Sequence, residues 1–166
     1  MSRWTKRTDG WSGVIEVLAH SIWENLAYSN FDEVAPKGWL TPSRGVAFAQ
    51  RLIERLGVKG SPTQTAGSLS GGNQQKVVIA KWIARNPKVI ILDEPTRGVD
   101  VGARAQIYEV IADLARQGMA VIVVSSDLDE VLGLSHRVVV LSRGEARGEF
   151  PKAEATSERV MELAVA

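Results

Sequence analysis

Residues 69–100 constrain this chain more than any other stretch. They read Leu69-Ser70-Gly71-Gly72-Asn73-Gln74-Gln75-Lys76, then a helix-length segment, then Val89-Ile90-Ile91-Leu92-Asp93-Glu94-Pro95-Thr96-Arg97-Gly98-Val99-Asp100. The first motif places a serine and two glycines at the start of a predicted helix. Glycine lets a backbone approach a ligand closely, and the first N–H groups of a helix have no intrahelical partner. With the helix dipole, that predicts a site for phosphate oxygens. The second motif is a short apolar run ending in two adjacent carboxylates. A strand buried on both faces reads this way, and α/β folds place ligands at the C-terminal ends of such strands. There one carboxylate can hold a hydrated Mg²⁺ while its neighbour orients or deprotonates an attacking water.

Taken alone, Leu-Ser-Gly-Gly reads more simply as a glycine-rich turn, and Asp-Glu as a solvated strand end. Their order and separation make coincidence a poor account of both. Together they resemble the signature motif, Walker B and D-loop of an ABC-type ATPase. Asn73, Gln74 and Gln75, with Thr96 through Gly102, resemble the second nucleotide-binding half of bacterial sugar-import ATPases of the ribose, xylose and galactoside group. The resemblance covers about residues 20–166 and is most specific from 66 to 148. It implies a P-loop NTPase-type α/β fold, with a parallel sheet, covering helices and a helical subdomain.

The same resemblance implies ATP and Mg²⁺ as cofactors and assigns roles. Asp93 would assist Mg²⁺ through water, and Glu94 would be the base acting on the hydrolytic water. Ser126 stands at the switch position, where most ABC ATPases carry a histidine that polarises the γ-phosphate; the sugar-import second half often has Ser-Ser here. Asp100 would be the D-loop acid crossing between halves. Ser70, Gly71, Gly72 and Gln74 would complete, in trans, a nucleotide site whose P-loop belongs to a partner half. Neither His20 nor His136 is expected to stand in for the switch histidine.

Length and charge narrow the rest. A chain of 166 residues buries one respectable core, so one domain is the prior. Twenty basic and 19 acidic residues leave a net charge of +1, which provides no footprint for nucleic acid or an anionic membrane. Cysteine is absent, excluding a disulfide scaffold and a thiolate metal site. No apolar run approaches a membrane span. The expectation is a cytoplasmic chain, peripheral on the inner face of the plasma membrane through permease subunits, with a periplasmic or extracellular sugar-binding protein as an indirect partner.

Residues 1–19 have no clear period and predict a poorly ordered segment or the product of an altered reading frame. Residues 20–65 predict a helical subdomain. Ser21 and Glu24 have capping-box spacing, Thr41-Pro42 starts a helix that Gly57 stops, and Ala49, Leu52, Ile53 and Leu56 share its inner face. Residues 66–166 hold the signature helix, with Trp82 expected in the core, and then the α/β part. Strands are expected at Val89–Leu92, Val121–Val124 and Val138–Leu141, helices around Ile107–Leu114 and Asp127–Leu134, a short strand near Phe150 and a last helix capped by Thr156.

Nothing in the chain matches G-x-x-x-x-G-K-[ST]. The resemblance therefore implies a nucleotide-binding half whose first third, with its P-loop, is absent, and which binds ATP weakly by itself. Two further readings stand beside a truncated sugar-import ATPase subunit. One is a non-catalytic module that completes another half's site; the other is a non-functional relic prone to aggregate through an uncovered sheet edge.

Overall fold

The computed structural model describes residues 17–36 and 38–165. The expectation for the N-terminal segment lies, up to residue 16, outside the described residues. Contacts divide the chain between Asn86 and Pro87 into two units. The division therefore falls after the signature helix, whereas the sequence pattern draws a boundary at 65/66.

The first unit is helical: α1 (Ile22–Ser29), α2 (Phe31–Val34), α3 (Pro42–Leu56), a 3₁₀ turn (Ala66–Ser68) and α4 (Gly71–Ile83). Ser21 and Glu24 form the reciprocal capping box expected of them. Pro42 occupies the first turn of α3, where its absent N–H costs nothing. Gly57 ends that helix at φ 57°, a left-handed conformation that favours glycine. Ala49, Leu52, Ile53 and Leu56 are buried as their spacing predicts, together with Phe48. At Gly45 the indole of Trp23 lies where a side chain would begin, so α3 can approach α1 this closely only with glycine there.

The helix α4 buries Gly72, Lys76, Val77, Ile79, Ala80 and Ile83, an i, i+3, i+4 stripe. Trp82 is off that stripe and 44% exposed, which corrects its expected place in the core. Asn30, also buried, ties the layers together: its amide donates to Leu26 O at 2.9 Å and Lys81 O at 3.0 Å. The loop leading into α4 is fastened along α1, with Ile22 N–H donating to Gln64 O and Ala66 N–H to His20 O.

In the second unit, β1 (Val89–Asp93) and β2 (Ala120–Val124) pair in parallel, from Val89 opposite Ala120 to Asp93 opposite Val124. The connecting helix α5 (Val101–Arg116) buries Ile107, Val110, Ile111 and Leu114 and packs on β2. Ile90 and Leu92 are buried, but Val89, Ile91, Ile122 and Val124 lie exposed on the other sheet face, Ile91 at 65%. After α6 (Leu128–Leu134) come β3 (Arg137–Ser142) and β4 (Glu145–Pro151). The sequence pattern placed the third strand in one parallel sheet. Instead β3 pairs antiparallel with β4. Arg143 and Gly144, both at positive φ, make a two-residue turn that brings the chain straight back. Val138, Val140 and Phe150 then close a small core with Val160 of α7 (Ser157–Val165). Among the described residues no helix is long and apolar enough to cross a membrane.

Candidate functional site

At the C-terminal ends of the parallel strands, the chain leaves β1 through Glu94, a non-glycine residue at φ 49°. Such a conformation costs on the order of 1 kcal/mol and persists only where neighbours hold it. Here Glu94 N–H donates to Val124 O at 2.7 Å, and the Glu94 carboxylate accepts the Ser126 N–H at 2.8 Å. The two strand ends are thus stitched together, as their adjacent registers allow. Asp93 is exposed beside them. Ser126 engages Glu94 through its backbone and not through its hydroxyl, while the Ser125 hydroxyl accepts the Asp127 N–H at 3.0 Å.

The loop from Glu94 to Asp100 is held at several points that the motif alone does not reveal. Thr96 donates its hydroxyl to the buried carboxylate of Glu130 at 2.7 Å, and Glu130 is only 2% exposed. Arg104 reaches back to Val99 O at 3.4 Å and forward to Asp127 at 2.9 Å. Asp100 caps α5, accepting the Ala103 N–H at 2.9 Å. Sequence reasoning named Asp100, took Thr96 only as a letter of the motif, and passed over Arg104 and Glu130. An acid in the first turn of a short helix carries no signal that it will be buried under a threonine 34 positions earlier.

In the other unit, Ser70 is the N-cap of α4, yet its side chain makes no cap bond to the helix. Among the described residues the N–H groups of Gly71 and Gly72 make no hydrogen bond within the chain. Asn73 N–H and Gln74 N–H both turn back to Ser70 O at 2.9 Å. The Gln74 side chain donates to Leu69 O at 2.9 Å, so it braces the loop from behind. Lys76, 5% exposed, donates to Gly57 O at 3.1 Å and fastens α4 to the end of α3. The result is a cluster of donors with no carboxylate in the motif. It suits an anion, and phosphate oxygens above all.

These are two half-sites, each described within its own unit. The structure brings Ser70, Gly71 and Gly72 together at one helix start, with Gln74 behind them. It brings Asp93, Glu94 and Ser126 together at one strand end. Among the described residues no cluster of three or more carboxylates and histidines forms a metal cage. Asp93 and Glu94 are two adjacent carboxylates at one strand end, a donor set that suits Mg²⁺, which keeps most of its waters and takes one or two carboxylates together with phosphate oxygens. On the helical unit, a groove of about 450 Å³ is lined by Val34, Pro36, Ala47 and Phe48, with Glu33, Arg44 and Arg51 at its sides.

Comparison with known proteins places this geometry among relatives. The family model described as ABC transporter matches residues 5–97, more than half of the chain. The chain is 52% identical over 149 residues to the ribose import ATP-binding protein RbsA of Bacillus licheniformis, covering 89% of this chain and 30% of that protein. The protein of the same name from Lactococcus lactis subsp. lactis is 49% identical over 149 residues, again covering 89% and 30%. The chain thus spans about a third of the length of these curated relatives. Among solved structures, an inward-facing metal-chelate type ABC transporter superposes with a TM-score of 0.78 at 19% identity, over 92% of this chain and 61% of that one. An ATP-binding cassette of an ABC transporter in its ADP conformation gives 0.73 at 24% identity, over 90% and 64%. At those identities the structures speak for the fold alone, which is that of ABC ATPase cassettes, a P-loop NTPase-type α/β fold.

Proposed function

The chain belongs to the ABC transporter family, and from that premise we propose that it forms part of the ATP-binding machinery of a carbohydrate importer of the ribose type. The observation that carries the proposal is the open donor cluster at the start of α4. Ser70, Gly71 and Gly72 meet the terminal phosphate oxygens of a nucleotide whose opposite side is held by a P-loop on a partner ATPase half. At the strand end, which belongs to this half's own nucleotide site, Asp93 would hold a hydrated Mg²⁺ and Glu94 would take the proton of the attacking water. When bound there, Mg²⁺ would supply charge neutralisation at the phosphate oxygens. Asp100 caps α5 and presents the D-loop to the facing half. The likeness to ribose import ATP-binding proteins supports ribose or a related sugar as cargo. Residues 20–65 are the helical subdomain that meets the permease, and the groove beside Phe48 supports that docking. A sugar-binding protein is reached only through the permease, so the chain works at the inner face of the plasma membrane.

The test is ATP turnover by the assembled transporter. Glu94→Gln keeps the shape and removes the base, and should lower kcat about a hundredfold or more while nucleotide binding persists. Unchanged turnover would sink the assignment. A second reading, a module that completes another half's site without hydrolysing ATP, is favoured by one detail: the Glu94 carboxylate is already engaged by the Ser126 N–H. Full turnover in Glu94→Gln together with loss in Ser70→Ala would select that reading.

A further inference from the structure

Ser70 can serve a phosphate only if its single hydroxyl hydrogen points away from the protein, and the geometry points to Asn73 as the residue that ensures this. The Lys59 backbone N–H donates to one end of the Asn73 amide at 2.7 Å. A backbone N–H can only donate, so that end is the oxygen, and the opposite end is the NH₂ group. That NH₂ lies 2.8 Å from Ser70 Oγ and donates to it. Ser70 is therefore an acceptor on its inner side, and its own hydrogen must leave in another direction. Among the described residues the Ser70 hydroxyl has no other hydrogen-bonding partner, and the residue is exposed.

The same chain contains the opposite arrangement. At the start of α1, Ser21 is also an N-cap with a polar residue three positions on, but that residue is Glu24. A carboxylate only accepts, and the Ser21 hydroxyl donates to Glu24 while Ser21 N–H donates to it at 2.8 Å. There the hydroxyl hydrogen is turned inward. An amide at this position opens the serine outward; a carboxylate closes it.

We propose that Asn73 is a positioning residue that, anchored by the Lys59 N–H, sets the polarity of Ser70 so that its hydroxyl donates to the terminal phosphate of the nucleotide. The proposal rests on the reading of Ser70 as a phosphate donor. Its test uses the full-length protein in the assembled transporter, with Ser70→Ala, Asn73→Asp and the double variant. Asn73→Asp keeps the shape and the Lys59 bond but can only accept, so it captures the Ser70 hydrogen. Ser70→Ala and Asn73→Asp are each expected to lower kcat about tenfold, with KM for ATP little changed, the loss of one hydrogen bond to a charged group. Because both act through one hydroxyl, the double variant should fall no further than Ser70→Ala. A loss from Asn73→Asp that persists in the Ser70→Ala background would be charge repulsion and would overturn the proposal, as would full turnover in Asn73→Asp. No loss in Ser70→Ala would instead overturn the underlying reading of the site. Nucleotide-free protein provides a second measurement. With ¹⁵N-asparagine labelling, the Asn73 side-chain signal, identified by its disappearance in Asn73→Asp, should move in Ser70→Ala. A signal that stays in place would mean that the Asn73–Ser70 bond does not exist, and with it the proposal.

Discussion

Two helices of the first unit begin on a serine, and they begin differently. The start of α1 satisfies itself: Ser21 and Glu24 exchange hydrogen bonds, and the Asn25 side chain closes behind them onto Val17. The start of α4 withholds those bonds. The Ser70 side chain makes no cap bond, and among the described residues the N–H groups of Gly71 and Gly72 have no partner. A capping serine contributes about 1 kcal/mol to a helix. The side-chain cap is present at α1 and absent at α4, the start that we propose meets a nucleotide. At α1 the first N–H groups are taken by Gln64 O and Pro62 O, whereas at α4 they stay available.

The largest expected effect follows directly. Ser21→Ala should destabilise the nucleotide-free protein by about 1 kcal/mol, and Ser70→Ala by no more than about 0.5 kcal/mol, in chemical denaturation. Equal losses would erase the distinction between the two starts. A smaller effect concerns pH. The Ser21 hydroxyl, then the Ser21 N–H, hold the Glu24 carboxyl below its usual value. A lowered folded-state pKa stabilises above the unfolded value and is lost as pH falls through the folded one. Stability contributed by α1 should therefore decline below about pH 4.3, and Glu24→Gln should remove that part of the acid dependence. Denaturation midpoints between pH 6 and pH 3 would show it, and parallel curves for the two proteins would refute it. The smallest effect is a gain. Asn73→Asp makes α4 resemble α1 and adds a carboxylate in its first turn, which should stabilise the nucleotide-free protein by about 0.3 kcal/mol or more at low ionic strength. A loss of stability would mean that the Asn73 amide serves the fold before it serves the site.

Much of this was legible in the chain itself. The capping box of α1, the inner face of α3, the left-handed stop at Gly57 and the strand that ends in Asp93-Glu94 all follow from local rules of spacing and backbone freedom. The two half-site motifs were legible for the same reason: each is a run of consecutive residues whose chemistry is decided within one turn or one strand. Trp82 was misplaced because α4 is apolar around much of its circumference. Which stripe of such a helix turns inward depends on what α1 and α3 present to it. The turn at Arg143-Gly144 into a final strand was legible, but the third strand was assigned to a parallel sheet because alternation of strand and helix does not reveal that β3 pairs with β4 instead.

The sequence by itself determined which groups stand at the glycine-rich helix start and at the carboxylate-bearing strand end, and where each element carrying them starts and stops. Backbone freedom, capping and hydrophobic period act over a few residues, so they are written in order along the chain. Only the tertiary structure decided how those groups are aimed. Glu94 is oriented by the Ser126 N–H, the following loop by a buried Glu130, and the Ser70 hydroxyl by an amide that takes its own orientation from Lys59. A hydrogen bond has direction as well as strength. That direction is set by partners whose place in the sequence has no fixed relation to the residue they turn.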